Sequence, residues 1–309
     1  MRIATYHRHR TPTYIHPEQH KATRMALVLL AGAVALAAVG CARRPAPEFD
    51  GEAALLLAGR QMSFGPRIPG TAGHAEVEKW IAASLETLGW ETTVHTVIYR
   101  GVELRNLVGK RGASQDGPIV IGAHYDTRPK ADRDPVDPAR PVPGANDGAS
   151  GVAILLELAR VLPPDLDGRE VWLTFFDGED SGGLDGWEWS AGAAAFAADL
   201  TVTPQAVVIL DMVGGADLQI RREATSDVTL LDEIWSIAET LGSEAFIEEI
   251  GVPIVDDHRP FLARGIPAVD IIGLPYAYWH TTADTLDKIT AESLGQVGRV
   301  IQAWILSRR

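Results

Sequence analysis

The chain contains one cysteine, Cys41, in 309 residues. That excludes an intrachain disulfide framework and a thiolate-rich zinc site, so any metal has to be held by His, Asp and Glu. Cations are scarce too: 28 Lys and Arg stand against 41 Asp and Glu, a formal net charge of -13 at pH 7. Binding nucleic acid needs clustered positive charge against phosphate, so no nucleic-acid partner is expected. The acid excess suits a cation site, although solubility is the simpler explanation. Aromatic residues are only 7% of the chain, yet eight are Trp, many for this size. Some of these are expected to line a pocket. No internal repeat is visible. A hydrophobic content of 46% supports one large α/β domain rather than two small ones.

A good membrane-spanning run is missing as well. The apolar stretch from Ala26 to Val39 is too short for one. Lys21 and Arg24 precede it, and Ala38-Val39-Gly40 lead into Cys41. A positive n-region, a short h-region and a small-residue cleavage site make an export signal. With Cys41 at its end the pattern resembles a bacterial lipoprotein signal, although Ala38 stands where Leu is usual. An ordinary cleaved signal or an uncleaved anchor is the alternative, and Met25 is an alternative start. The expected division is a signal segment at 1–41, a Pro/Ala-rich tether at 42–50 and the folded domain at 51–309. The protein is then exported to the cell envelope and lipid-anchored through Cys41, on the periplasmic or extracellular face. No sequence feature specifies an oligomer.

Within the domain, Ala72 to Leu88 carries apolar residues at helical spacing (Val77, Ile81, Leu85, Leu88) and is stopped by Gly89. Thr93 to Tyr99 alternates and is rich in β-branched residues. Ile119–Ala123, Val171–Phe176, Ala206–Leu210 and Ala268–Ile272 are short apolar runs typical of buried strands. Gly148–Leu162 and Ala291–Ser307 read as helices. Buried strands separated by helices predict a single α/β domain with a central, mostly parallel mixed sheet flanked by helices. The segment 128–143, rich in Pro, Asp and Arg, is either a functional rim or mobile.

Polar residues follow each buried run. His124-Tyr125-Asp126 follows the first, and Asn146-Asp147-Gly148 opens the next helix. Asp177-Gly178-Glu179-Asp180 follows the second run, Asp211 the third, and Trp279-His280 lies beyond the fourth. In open α/β sheets the site forms at the carboxyl ends of the strands. Taken singly, each has a plainer explanation: a hydrogen-bonded His, a solvated acidic turn, a helix cap at Asp147. Glu179 and Asp180 differ, because adjacent acids after a buried strand need a compensating cation or proton. Such residues recurring at one sheet edge point to a metal site.

Taken together, Gly122-Ala123-His124-Tyr125-Asp126, Asn146-Asp147-Gly148-Ala149-Ser150-Gly151, Asp177-Gly178-Glu179-Asp180, Leu210-Asp211-Met212-Val213-Gly214 and the His280 motif resemble the M28 metallopeptidase and glutaminyl cyclase superfamily. The resemblance covers about Ala53 to Ile305. It implies a phosphorylase/hydrolase-like sheet of the zinc-peptidase type and zinc ligands Asp147, Asp180 and His280, with Asp180 where the family usually has Glu. Glu179 becomes the general acid/base. In two-metal relatives His124 and Asp211 hold a second ion and Asp147 bridges, while Asp126 orients His124. One zinc ion is expected for a cyclase and up to two for an aminopeptidase.

The resemblance leans toward the glutaminyl cyclase branch, in which N-terminal Gln of peptides or proteins becomes pyroglutamate and ammonia is released. Phe175-Phe176-Asp177-Gly178-Glu179-Asp180 and Val255-Asp256-Asp257-His258-Arg259-Pro260-Phe261-Leu262 look like cyclase segments. Asp211 and Asp256 would share a proton network with Glu179. Trp279 matches the Trp that packs on the glutamine side chain, and Trp187 (or Trp189) is expected as a second wall. Asp270 departs from the pattern, because animal cyclases have His there. The alternatives are an M28-type aminopeptidase that hydrolyses the first peptide bond, and a non-catalytic binding module on the same fold.

Overall fold

In the computed structural model, which describes residues 46–308, helices and strands alternate. The first half runs through helices α1 (Gly51–Met62) and α2 (Ala72–Thr87), strands β1 (Glu91–Tyr99), β2 (Val102–Gly112) and β3 (Ile119–His124), helix α3 (Ala149–Val161) and strand β4 (Glu170–Phe176). The second half adds α4 (Ala191–Asp199), β5 (Ala206–Asp211), β6 (Ile220–Arg222), α5 (Val228–Thr240) and β7 (Phe246–Ile250). It closes with α6 (Arg259–Ala263), β8 (Ala268–Ile272), a 3-10 turn (Leu286–Lys288) and α7 (Ala291–Ser307).

The main sheet has six strands in the order β1-β2-β4-β3-β5-β8. Strands β4, β3, β5 and β8 are mutually parallel, and β2 and β1 extend the sheet antiparallel. β6 and β7 pair separately. The single mixed α/β sheet expected from the apolar runs is therefore present. Its four parallel strands are buried on both faces because alternate side chains enter different cores. Ile119, Ile121, Leu173, Val208 and Ile271 pack with α1, α3 and α7. Val120, Trp172, Phe176, Val207 and Ile209 pack with Phe196 of α4 and Phe261 of α6. Burying one such side chain contributes roughly 1.5–3 kcal/mol. Gly122 lets β3 pack closely on its neighbours, since a Cβ there would sit 2.5 Å from the Phe176 ring.

Helix α2 ends at Thr87, and Gly89 turns the chain with a φ of +79°. The domain's packed part begins earlier than composition suggested. Phe49 is buried over Gly298 of α7, where a Cβ would stand 2.2 Å from its ring. Its N–H donates to Gln302 Oε1 at 3.0 Å. Asp50 caps α1 through the N–H groups of Glu52 and Ala53, and its own N–H donates to Glu157 Oε1 at 3.1 Å. Phe49 and Asp50 thus belong to the domain rather than the tether, because an apolar ring and a helix cap each have a partner there. The signal segment 1–41 and residues 42–45 lie outside the described residues. Among the described residues no helix is long and apolar enough to cross a membrane.

Candidate metal centre and active site

Because β3, β4, β5 and β8 run parallel, their carboxyl ends share one edge of the sheet, and the acids that follow them meet there. His280 Nε2 lies 3.3 Å from Asp180 Oδ1 and 3.8 Å from Asp147 Oδ2. His124 Nε2 lies 3.2 Å from both Asp147 Oδ1 and Asp211 Oδ1. Each triad, Asp147-Asp180-His280 and His124-Asp147-Asp211, offers ligand atoms within 4.8 Å of one another, and all five residues are buried.

The capping explanation for Asp147 does not hold. The residue at the cap position before α3 is Gly148, with φ +95° and no side-chain cap, while the Asp147 carboxylate faces both histidines. Gly148 is needed here, since a Cβ would lie 2.8 Å from the Asp126 carbonyl oxygen. Asp284, unassigned by the sequence reading, holds this turn: it accepts the N–H of Asn146 (2.9 Å), the N–H of Asp147 (3.1 Å) and the Tyr276 hydroxyl (2.7 Å). Asp126 does the same after β4, accepting the N–H of Glu179 at 3.2 Å and of Asp180 at 3.1 Å. Its Oδ1 also lies 3.5 Å from His124 Nδ1.

The Pro-rich segment 128–143 is a rim fastened to the site. Arg128, buried, donates to the carbonyls of Asp180 (3.0 Å) and Gly182 (3.1 Å) and pairs with Asp132 at 2.6 Å. Asp132 Oδ1 stands 3.5 Å from His280 Nδ1. The Arg133 N–H reaches the His280 carbonyl at 3.2 Å, and Asp134 accepts the Thr282 N–H at 2.8 Å. These contacts hold His280, whose backbone is left-handed at φ +57°. Sequence reasoning missed Arg128 and Asp132 because neither belongs to a run or motif.

Burial dominates the protonation chemistry. It lowers His280 to about 4 despite the opposing charge of Asp147, leaving the neutral imidazole a metal requires. Burial also works against a charged His124, but Asp126, Asp147 and Asp211 outweigh it and raise its pKa. Asp180 is pushed well up by burial, then by the charge of Asp147. Asp211 is pushed up to about 7 by burial, against the hydrogen bond to His124. Glu179 rises well above the carboxylate range through burial and then the charge of Asp256. Asp270, deep on β8, rises for the same two reasons. Beneath the cluster Arg67 is fully buried and lowered to about 10 by desolvation, and its guanidinium binds the carbonyls of Tyr125, Pro143 and Gly144.

Above the triads lies a cavity of about 210 Å³ lined by Asp147, Glu179, Asp211, Asp256, Trp189 and Trp279 among others. The Trp189 and His280 rings stack with centroids 6.0 Å apart, and Trp279 meets His280 at 4.2 Å. The second aromatic wall is therefore Trp189. Trp187, expected in that role, packs instead on Tyr99 with centroids 5.1 Å apart. The turn decides between them: Gly182 has no side chain, and a Cβ there would stand 2.2 Å from the Trp189 ring.

The donor set fits a zinc ion. Both Asp180 oxygens and Asp147 Oδ2 are buried without a hydrogen-bond partner, a costly state unless a cation satisfies them. Two carboxylates and one neutral imidazole with an open side toward a cavity suit zinc. Fold and ligand set together define an enzyme of the zinc-dependent exopeptidase architecture. The model of peptidase family M28 matches residues 106–305, and the chain belongs to that family. A glutaminyl-peptide cyclotransferase of Drosophila melanogaster is 26% identical over 286 residues, covering 76% of each chain. The crystal structure of Tannerella forsythia glutaminyl cyclase superposes with a TM-score of 0.80 at 31% identity, covering 85% of this chain and all (100%) of that one. A Zn-dependent exopeptidase from Parabacteroides distasonis matches at the same TM-score of 0.80, identity of 31% and coverage of 85% and 100%.

Proposed function

We propose that this protein is a zinc-dependent glutaminyl-peptide cyclotransferase, closing the N-terminal Gln of peptides or proteins to pyroglutamate with release of ammonia. The observation that carries this reading is the small cavity, about 210 Å³, walled by Trp189 and Trp279 over the Asp147-Asp180-His280 triad with Glu179 facing in. It has room for one amide side chain and the amine beside it. The similarity to glutaminyl cyclases of animals and bacteria supports the same reading.

Asp147, Asp180 and His280 would hold one zinc ion. When bound, the ion supplies a Lewis acid for the γ-amide carbonyl. The tryptophan walls hold the amide side chain, exclude water and bring the α-amine toward the γ-carbon. The amine nitrogen bonds to that carbon, Glu179 takes the amine's proton and returns it to the amide nitrogen, and the carbon–nitrogen bond to ammonia breaks. A carboxyl with a raised pKa suits both halves of this transfer. Asp211 and Asp256 line the same cavity and would share a proton network with Glu179.

The second triad, His124-Asp147-Asp211, favours one other reading: a two-metal aminopeptidase in which Glu179 deprotonates the attacking water. Offering the purified protein a Gln-initiated and a Leu-initiated peptide separates them. Ammonia from the first without free leucine from the second supports the cyclase; the reverse supports the aminopeptidase. Export and anchoring through a lipid on Cys41 complete the proposal. Cys41→Ser should move the protein from the membrane to the soluble fraction, and unchanged fractionation would refute the anchor.

A further inference from the structure

A larger cavity of about 620 Å³ opens beside the catalytic one. The two share Ile254, Ile272, Leu274 and Trp279 as lining, so they are continuous past one tryptophan. The larger cavity is mostly apolar, and its outer edge is built by Ile250 and Val252, which are 79% and 63% exposed. Large apolar side chains so exposed beside a catalytic cavity mark a binding surface. A residue that follows an N-terminal Gln has to leave the small cavity, and the shared wall leads into this one.

The charged groups of this cavity differ in availability. The Arg221 guanidinium is fully engaged with Glu249 (3.0 Å), the Leu274 carbonyl (3.0 Å) and Gln219 (3.0 Å). Glu223 accepts from Ile254 N–H at 2.8 Å and Ser226 Oγ at 2.8 Å. Arg133 is exposed and stacks on the Trp279 ring, 4.0 Å from its centroid, with no carboxylate partner among the described residues. It lines the larger cavity.

We infer that the larger cavity is the subsite for the residues following the N-terminal Gln, taking an apolar second side chain against Ile250, Val252 and Leu274, with Arg133 reading a carboxylate just beyond it. This rests on the proposed reaction, and it narrows the substrate to peptides with an apolar second residue and a nearby anion. That anion is an acidic side chain or the free carboxyl end of a short peptide.

The test uses the zinc-loaded full chain with Gln-Leu-Gln-amide, Gln-Ser-Gln-amide, Gln-Leu-Glu-amide and Gln-Leu-Gln with a free carboxyl end. Ammonia release and calorimetric binding are both measured. Leu over Ser should raise kcat/KM and affinity by about tenfold or more, and Val252→Trp, which fills the cavity, should shrink that ratio. A carboxylate should add about threefold to fivefold, lost in Arg133→Gln and in high salt. The third and fourth peptides show which source of carboxylate is read. Binding and turnover indifferent to the second residue overturn the subsite, and indifference to both carboxylates overturns the role of Arg133. If no peptide releases ammonia while the binding preference persists, the reaction assignment fails and the subsite stands.

Discussion

The Asp147 carboxylate is divided between two histidines: its Oδ1 lies 3.2 Å from His124 Nε2 and its Oδ2 3.8 Å from His280 Nε2. One residue thus belongs to both triads, and what each histidine does separates a one-ion from a two-ion enzyme. His280→Ala should abolish zinc binding. His124→Ala should leave one zinc per chain if the enzyme works with a single ion. Metal content by plasma emission after gel filtration checks both, and full zinc in His280→Ala would remove it from the ligand set.

Glu179 adjoins the triad without belonging to it. Glu179→Gln keeps the size and removes the carboxyl that accepts and returns the proton, so kcat should fall by about 10²–10⁴-fold. Zinc content should not change. Retained turnover in this variant would take Glu179 out of the mechanism.

The Trp189 wall depends on a missing side chain. In Gly182→Ala the new Cβ would meet the body of the indole ring at 2.2 Å, so the ring has to move. KM should rise by up to about tenfold, the scale of one aromatic contact, with zinc content intact. An unchanged KM would mean that Trp189 does not hold substrate.

Glu223 links the site's flank to acid stability. Burial opposes its charge, but hydrogen bonds from His258, the Ile254 N–H and Ser226 outweigh this and hold its pKa at about 2. The unfolded value is about 4.3. The folded pKa is the lower one, so the contribution is complete above the unfolded value and is lost as pH falls toward 2. Glu223→Gln should lower Tm at pH 7, and the gap to the parent protein should narrow through pH 4 to 2. A gap that stays constant across that range would contradict the assignment.

The parts legible in sequence share one physical cause. An apolar run with both faces buried that ends abruptly in His124, Asp211 or Glu179-Asp180 announces a strand delivering polar groups to a sheet edge. Strand β8 and helix α7 carry the bounds their apolar patterns predicted. Strand β2 was not legible, because Glu103, Arg105, Asn106, Lys110 and Arg111 break its pattern. Its buried Asn106 is satisfied only in the fold, by the Gly192 carbonyl at 2.9 Å and the Asp177 N–H at 3.0 Å. Asp284 was equally hidden, since the turn it holds lies 137 and 138 residues away. Trp187 and Trp189 stand two residues apart in an irregular turn, where no periodicity says which ring faces inward.

The central claim is that Asp147, Asp180 and His280 clasp one zinc ion beneath the tryptophan walls. Anomalous diffraction at the zinc edge from crystals of the zinc-loaded protein tests it directly. The expected result is one strong peak about 2.0–2.2 Å from a carboxylate oxygen of each Asp and from His280 Nε2. Zinc bound elsewhere, with these three side chains unligated, would contradict the account.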